Sequence, residues 1–167
     1  MRNRELASQL DSLKSLLAVT DTATGGNIEL VGHWGRYLCV LTAGFLENAL
    51  REVFSEFVRN AASPQVASFA TRRLERISNP KSGRFIETAQ SFDFVWASDL
   101  EDFLNADGGR RRNAIDSIMS NRNRIAHGES VQVSVGRVRE YLPGCIQVVE
   151  FIENQLLGTT SHEPRAV

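Results

Sequence analysis

The chain has 167 residues, with 19 Lys+Arg against 20 Asp+Glu and 42% hydrophobic residues. This is the length and composition of one ordinary globular domain, neither disordered nor fibrous. A formal net charge of −1 excludes a general polyanion binder, yet the cations are skewed to 17 Arg and only Lys14 and Lys81, and arginine is the side chain suited to bidentate phosphate contacts.

Helical periodicity dominates in chain order. Leu6, Leu10, Leu13 and Leu17 step 4, 3, 4 and predict a first helix over roughly 3–19. Residues 19–27, rich in Thr, Asp and Gly, form a loop. A long helix over roughly 30–60 carries Leu38, Leu41, Phe45, Leu46, Leu50, Val53, Phe54 and Phe57. It is the central helix of a bundle, in which Gly35 and Gly44 permit close backbone approach. Ser63-Pro64 opens a helix to about Ile77. A short helix over 84–91 follows, and then one over 97–105 that Ser98 can cap.

After Asp107-Gly108-Gly109, a helix over 110–127 ends at Gly128, a natural left-handed stop. Residues 131–135 alternate like a strand but are too short to found a sheet. The last helix, over 134–157, repeats Val135, Val138, Leu142, Cys145, Val149, Ile152 and Leu156, with Pro143 expected to kink it. Residues 158–167 form a flexible tail. The fold class is therefore all-α, a compact antiparallel bundle of about five to seven helices in one domain over 1–157.

No apolar leader and no run of membrane-spanning length is present. Cys39 and Cys145 form no CxxC and no metal-ligand spacing, so they are expected as reduced buried thiols in a cytoplasmic protein without metal or other cofactor. Asp99, Glu101, Asp102 and Asp107 lack the order of a calcium loop. His33 and His162 have no partner constellation, His33 being placed near a helix start and His162 in the tail.

The unusual helix is 110–127. Its apolar face runs Ile115, Ile118, Met119, then Ile125 and Ala126, and the position between is Arg122. A cation on an apolar face must be paired or must face a cavity or an interface. Asn123 and His127 are four residues apart on one side of the same helix end. Such a set suits phosphodiester chemistry on RNA: histidine moves the proton of a ribose 2′-OH or of the leaving group, arginine neutralises charge on the phosphate, and Asn orients either. Residues 108–139 hold seven Arg and two acids, a local +5 against −6 elsewhere. Two readings stay open. Arg122 can equally pair with a carboxylate such as Glu47, His127 can be a helix cap, and Arg110, Arg111 and Arg112 can be a solvated helix start. Glu47 and Arg51 also have the spacing of a surface ion pair.

Arg122-Asn123-Arg124-Ile125-Ala126-His127-Gly128 resembles the Arg-x4–6-His signature of the HEPN superfamily, and the layout over roughly 30–157 looks like the small bacterial RiboL-PSP and MAE_28990-like types. The leading helix and the tail add nothing to the likeness. The resemblance implies a metal-independent endoribonuclease, a toxin or anti-phage defence effector, that acts as a homodimer with one composite site. Arg122 and His127 would be catalytic and Asn123 supportive, with Arg124 and Arg110–112 as RNA contacts and Glu47 as a supporting group. The partners would be RNA, a second copy of the chain, and an antitoxin or defence-system protein, with no membrane. Some HEPN domains are instead non-catalytic adaptors, and the regular last helix suits that alternative. A DNA-binding regulator is disfavoured, since no recognition-helix spacing is present.

Overall fold

A computed structural model describes residues 1–160. The four leucines at 6, 10, 13 and 17 are all buried, and they turn helix α1 (Arg4–Ala18) against the core. Its start is fixed twice. Asn3 accepts from the Glu5 and Leu6 N–H groups, and the buried Glu153 carboxylate accepts from the Arg2 and Asn3 N–H groups at 3.1–3.3 Å.

The loop expected over 19–27 contains a helical turn, α2 (Thr20–Thr24). Thr20 and Thr24 are buried with their hydroxyls bonded back to the carbonyls of Leu17 and Thr20, and Trp34 Nε1 donates to Thr20 Oγ1 at 3.2 Å. Tertiary burial thus overrides a weak local propensity. Asn27 caps the long helix α3 (Ile28–Ala61), accepting from the Glu29 and Leu30 N–H groups. α4 (Pro64–Leu74), α5 (Ser82–Gln90), α6 (Phe94–Asn105), a single 3-10 turn at Asp107–Gly109, α7 (Arg110–Ala126) and α8 (Val135–Thr160) complete the described chain.

Among the described residues there are eight α-helices and no strand, one helix beyond the expected range because of α2. α6 begins three residues earlier than its spacing predicts. Asp93, not Ser98, is its cap, accepting from Val95 and Trp96 N–H. α8 continues through Pro143 to Thr160, so 158–160 are helical, and the rest of the expected tail, 161–167, lies outside the described residues.

α3 is the axis. α8, α7, α4 and α1 all pack on it. Contacts of α1 and the following α2 with α3 run in opposite chain order, Asn3 with Glu56, Gln9 with Asn48 and Thr20 with Trp34, so α1 and α3 are antiparallel. α7 and α8 form an antiparallel hairpin, and its connection is where the alternation at 131–135 finds its meaning. Val131, Val133 and Val135 are buried while Gln132 and Ser134 face out, yet the extended segment packs on α3 rather than on another strand.

That packing depends on Gly35, where a Cβ would run into the Val133 carbonyl oxygen and lie 3.1 Å from the Val135 nitrogen. Gly44, by contrast, has nothing within 4 Å of its Cβ position. The two glycines of α3 should therefore respond oppositely to alanine. Gly35→Ala should lower the urea midpoint by pushing the 131–135 segment off the core. Gly44→Ala should leave it unchanged or raise stability by up to about 1 kcal/mol, the usual helix-interior difference.

Candidate functional site

α7 starts as a core helix and ends as an exposed one. Ala114, Ile115, Ile118 and Met119 are fully buried; Arg122 and Ile125 on the same stripe are half-buried, and Ala126 is exposed. The core-facing stripe therefore runs out of the bundle at its C-terminal end, and Arg122 stands where it emerges. Its guanidinium makes no hydrogen bond or ion pair among the described residues.

The end of α7 is held tightly. Gly128, at φ +74°, donates to the Ile125 carbonyl at 3.0 Å, and the Glu129 N–H reaches the Arg124 carbonyl at 3.0 Å. This is a Schellman stop, for which glycine in the left-handed region is the natural residue. Arg124 Nε bonds Glu129 Oε2 at 2.7 Å across the same turn. His127 is the C-cap residue, its N–H bonded to the Asn123 carbonyl at 3.1 Å. The backbone that carries Asn123 and His127 is thus fixed, while both side chains are exposed and engage no partner among the described residues. Arg122 and His127 are five residues apart, about 7.5 Å along the axis.

The other arginines do not join them. Arg110, Arg111 and Arg112 lie at the opposite end of α7, about 22–26 Å from His127 by helical rise. Arg111 bonds Gln147 and the Phe103 carbonyl, with its guanidinium 4.1 Å from the Phe103 ring centroid. Arg112 reaches Asn105, Ser82 and Glu101. These two are struts between helices, and only Arg110 is exposed without an ion pair. Within the +5 stretch, Arg137 pairs with Glu140 at 2.8 Å and Arg139 caps the Leu17 carbonyl at 3.0 Å. The local charge is largely spent inside the fold.

Glu47 does not meet Arg122 in any hydrogen bond or ion pair. Its carboxylate accepts from Arg51 at 2.7 Å and from the Asn79 N–H at 2.9 Å, while Arg51 also donates to the Ile77 carbonyl. The i,i+4 pair expected from the spacing is therefore present, and it buckles the turn after α4 onto α3. Sequence spacing did not reveal Asp116, whose carboxylate accepts from both the N–H and the hydroxyl of Ser82 and anchors the start of α5 to α7. His33 is exposed near the start of α3 beside Arg36 and Glu29, and His162 lies outside the described residues.

Cys39 and Cys145 are free and buried. Cys39 Sγ lies 3.6 Å from the Ile118 carbonyl oxygen. Burial pushes the Cys39 thiol up to about 11 and the Cys145 thiol up to about 12, the opposite of what a nucleophilic cysteine needs. Among the described residues no cluster of three or more His, Cys, Asp or Glu side chains gathers in metal-binding geometry, and no helix is long and apolar enough to cross a membrane.

The chain is thus an all-α bundle with an Arg-x4-His segment at the exposed end of its penultimate helix. The model of the RiboL-PSP-HEPN family matches residues 2–158, and the chain belongs to that family. No curated protein and no solved structure matches it. The match is wider than the likeness over 30–157 suggested, and it includes α1, whose leucines share the common core.

Two measurements test these assignments. Glu47→Ala should lower stability by about 1–3 kcal/mol in urea unfolding, because it leaves the Asn79 N–H unpaired and takes the carboxylate from the half-buried Arg51. Native protein at pH 8 should show almost no reaction of either cysteine with a thiol reagent, both reacting once the chain is unfolded. Rapid labelling of the native form would contradict the buried placement.

Proposed function

We propose that the chain is a metal-independent endoribonuclease whose site is completed across a homodimer. The observation that carries this reading is Arg122: a guanidinium on the core-facing stripe of α7, half-buried and without an acid partner, one helical turn and a half before an exposed His127. A structural arginine at such a position would be expected to hold a carboxylate. An arginine kept for a phosphate would be left free.

The chemistry needs no group beyond the RNA and these side chains. The ribose 2′-OH attacks the adjacent phosphorus while a histidine takes its proton. The P–O5′ bond breaks, and a protonated histidine returns a proton to the 5′ oxygen. The products are a 2′,3′-cyclic phosphate and a 5′-OH. Arg122 neutralises the charge that builds on the non-bridging oxygens, and Asn123 orients a phosphate oxygen or the imidazole. One histidine cannot be base and acid at the same instant. Two copies of His127 facing each other supply both roles, which is the physical reason for a composite site.

An uncovered surface supports the dimer. Gly35 places the N-terminal half of α3 beside the α7–α8 connection, and on its outer face Leu30, Tyr37 and Val40 are exposed. Exposed apolar side chains grouped on one helix face suit an interaction surface. The same face can serve a non-catalytic adaptor that docks a protein partner such as an antitoxin, which is the second reading. As a ribonuclease, the protein fits the role of a cytoplasmic toxin or anti-phage effector.

Purified protein in excess EDTA should cleave RNA to cyclic-phosphate ends. His127→Ala should lower the rate by about 10²–10⁴-fold and Arg122→Ala by about 10²–10³-fold. Equal cleavage by wild type and variants overturns the assignment, and stable capture of a protein partner with RNA left intact supports the adaptor. Light scattering should give about twice the 18.6 kDa chain mass. Tyr37→Asp combined with Val40→Asp should halve that mass and abolish cleavage together.

A further inference from the structure

A second basic surface lies away from α7. Residues 69–92 hold five cations (Arg72, Arg73, Arg76, Lys81 and Arg84) and two acids (Glu75 and Glu87), a net +3. Here α4 and α5 diverge around a cleft of about 660 Å³, within the size range of small-ligand sites. Its floor is apolar and rigid: Leu74 is buried, and Phe92 stacks on Phe54 with centroids 5.0 Å apart. Its rim is aromatic and cationic. Phe69 leaves 63% of its surface in water, with the Arg73 guanidinium carbon 5.7 Å from its ring centroid. Arg76 is exposed and its guanidinium has no partner among the described residues, while Arg84 bonds Glu87 at 2.9 Å in an exposed pair.

We infer that the α4–α5 cleft binds a single-stranded segment of RNA, with a base stacked on Phe69 and its flanking phosphates held by Arg73 and Arg76. An exposed aromatic ring beside guanidiniums that hold no carboxylate is the composition that holds unpaired nucleotides, because every base has a stacking face and every linkage carries a charge. An acidic peptide would satisfy the arginines but leave the flat ring of Phe69 without its natural counterpart.

The cleft is separate from the Arg122–His127 end. Its Ile77 wall is tied to Arg51, and Arg51 lies sixteen residues along α3 from Gly35, which abuts the α7–α8 connection; that is about 24 Å of helix. The cleft therefore acts as an accessory docking site that selects RNA long enough to reach both places. The choice of RNA as occupant rests on the ribonuclease reading.

The test uses the full-length His127→Ala protein and a fluorescently labelled, unstructured 20-nucleotide RNA, followed by anisotropy at several salt concentrations. Combined Phe69→Ala, Arg73→Ala and Arg76→Ala should weaken binding about 10-fold or more. The log–log salt slope should become shallower by about 1.4, roughly 0.7 for each of two lost phosphate contacts on a single strand. Arg4→Ala, on the exposed face of α1, should change neither. Arg76→Glu alone, at an exposed position that folding does not use, should reproduce the direction of the loss. With His127 intact, the triple variant should raise KM for the 20-mer and leave cleavage of a tetranucleotide unchanged.

Unchanged affinity and salt slope in both variants overturn the cleft, as does a loss equalled by Arg4→Ala. If wild-type protein cuts no RNA, the ribonuclease reading falls, while the binding comparison still decides the cleft.

Discussion

The close approach of α3 to the extended segment before α8 is the constraint on which the rest of the structure depends. Only a residue without a Cβ lets the Val133 carbonyl reach α3 at Gly35. From this contact the α7–α8 hairpin takes its place, with Cys39 against the Ile118 carbonyl one helical turn further along. The end of α7 is then stopped where it projects from the bundle, by the left-handed Gly128 and by the Gly128 and Glu129 N–H groups that cap the Ile125 and Arg124 carbonyls. The result is a rigid helix end carrying side chains that the fold itself leaves unused.

That division between used and unused polar groups separates support from chemistry in this domain. Asp116 with Ser82, Arg111 with Gln147, and Glu153 with the start of α1 each join two elements, and the Glu47–Arg51 pair of α3 holds Ile77 and Asn79 of the turn after α4. Removing one partner would leave a half-buried group unpaired, so these pairs specify the arrangement of helices more than they add net stability. Arg122, Asn123 and His127 join nothing among the described residues. A similar contrast holds at the α4–α5 cleft, where Arg76 is open while Arg51, bonded to the Ile77 carbonyl and to Glu47, is fully engaged.

Much of the fold was legible before the structure because helix periodicity and capping are local. The leucine spacing of α1, the proline start of α4, the glycine stop after α7 and the repeat of α8 all lie within a few residues of what they control. Where the structure departs from these local signals, a distant contact intervenes. Thr20 and Thr24 are helical because Trp34 and the core cover them. Asp93 displaced Ser98 as a cap because burying Trp96 and Ala97 required α6 to start earlier. Charge totals misled most. The +5 over 108–139 suggested one basic groove, whereas Arg111, Arg112, Arg124, Arg137 and Arg139 have partners, and the stretch summed as negative hides the cluster around Arg73 and Arg76.

By itself the sequence determined the all-α class, the Arg122-to-His127 segment at a helix end and the oddity of a guanidinium on an apolar stripe, because each follows from spacing along one helix. Tertiary structure alone decided which arginines are free. Pairing is a property of neighbours in space: Glu47 was available to Arg122 or Arg51 on paper, and the buckle at Ile77 and Asn79 gave it to Arg51. A formal charge is a sum over the chain. An available charge is what remains after the fold has taken its share.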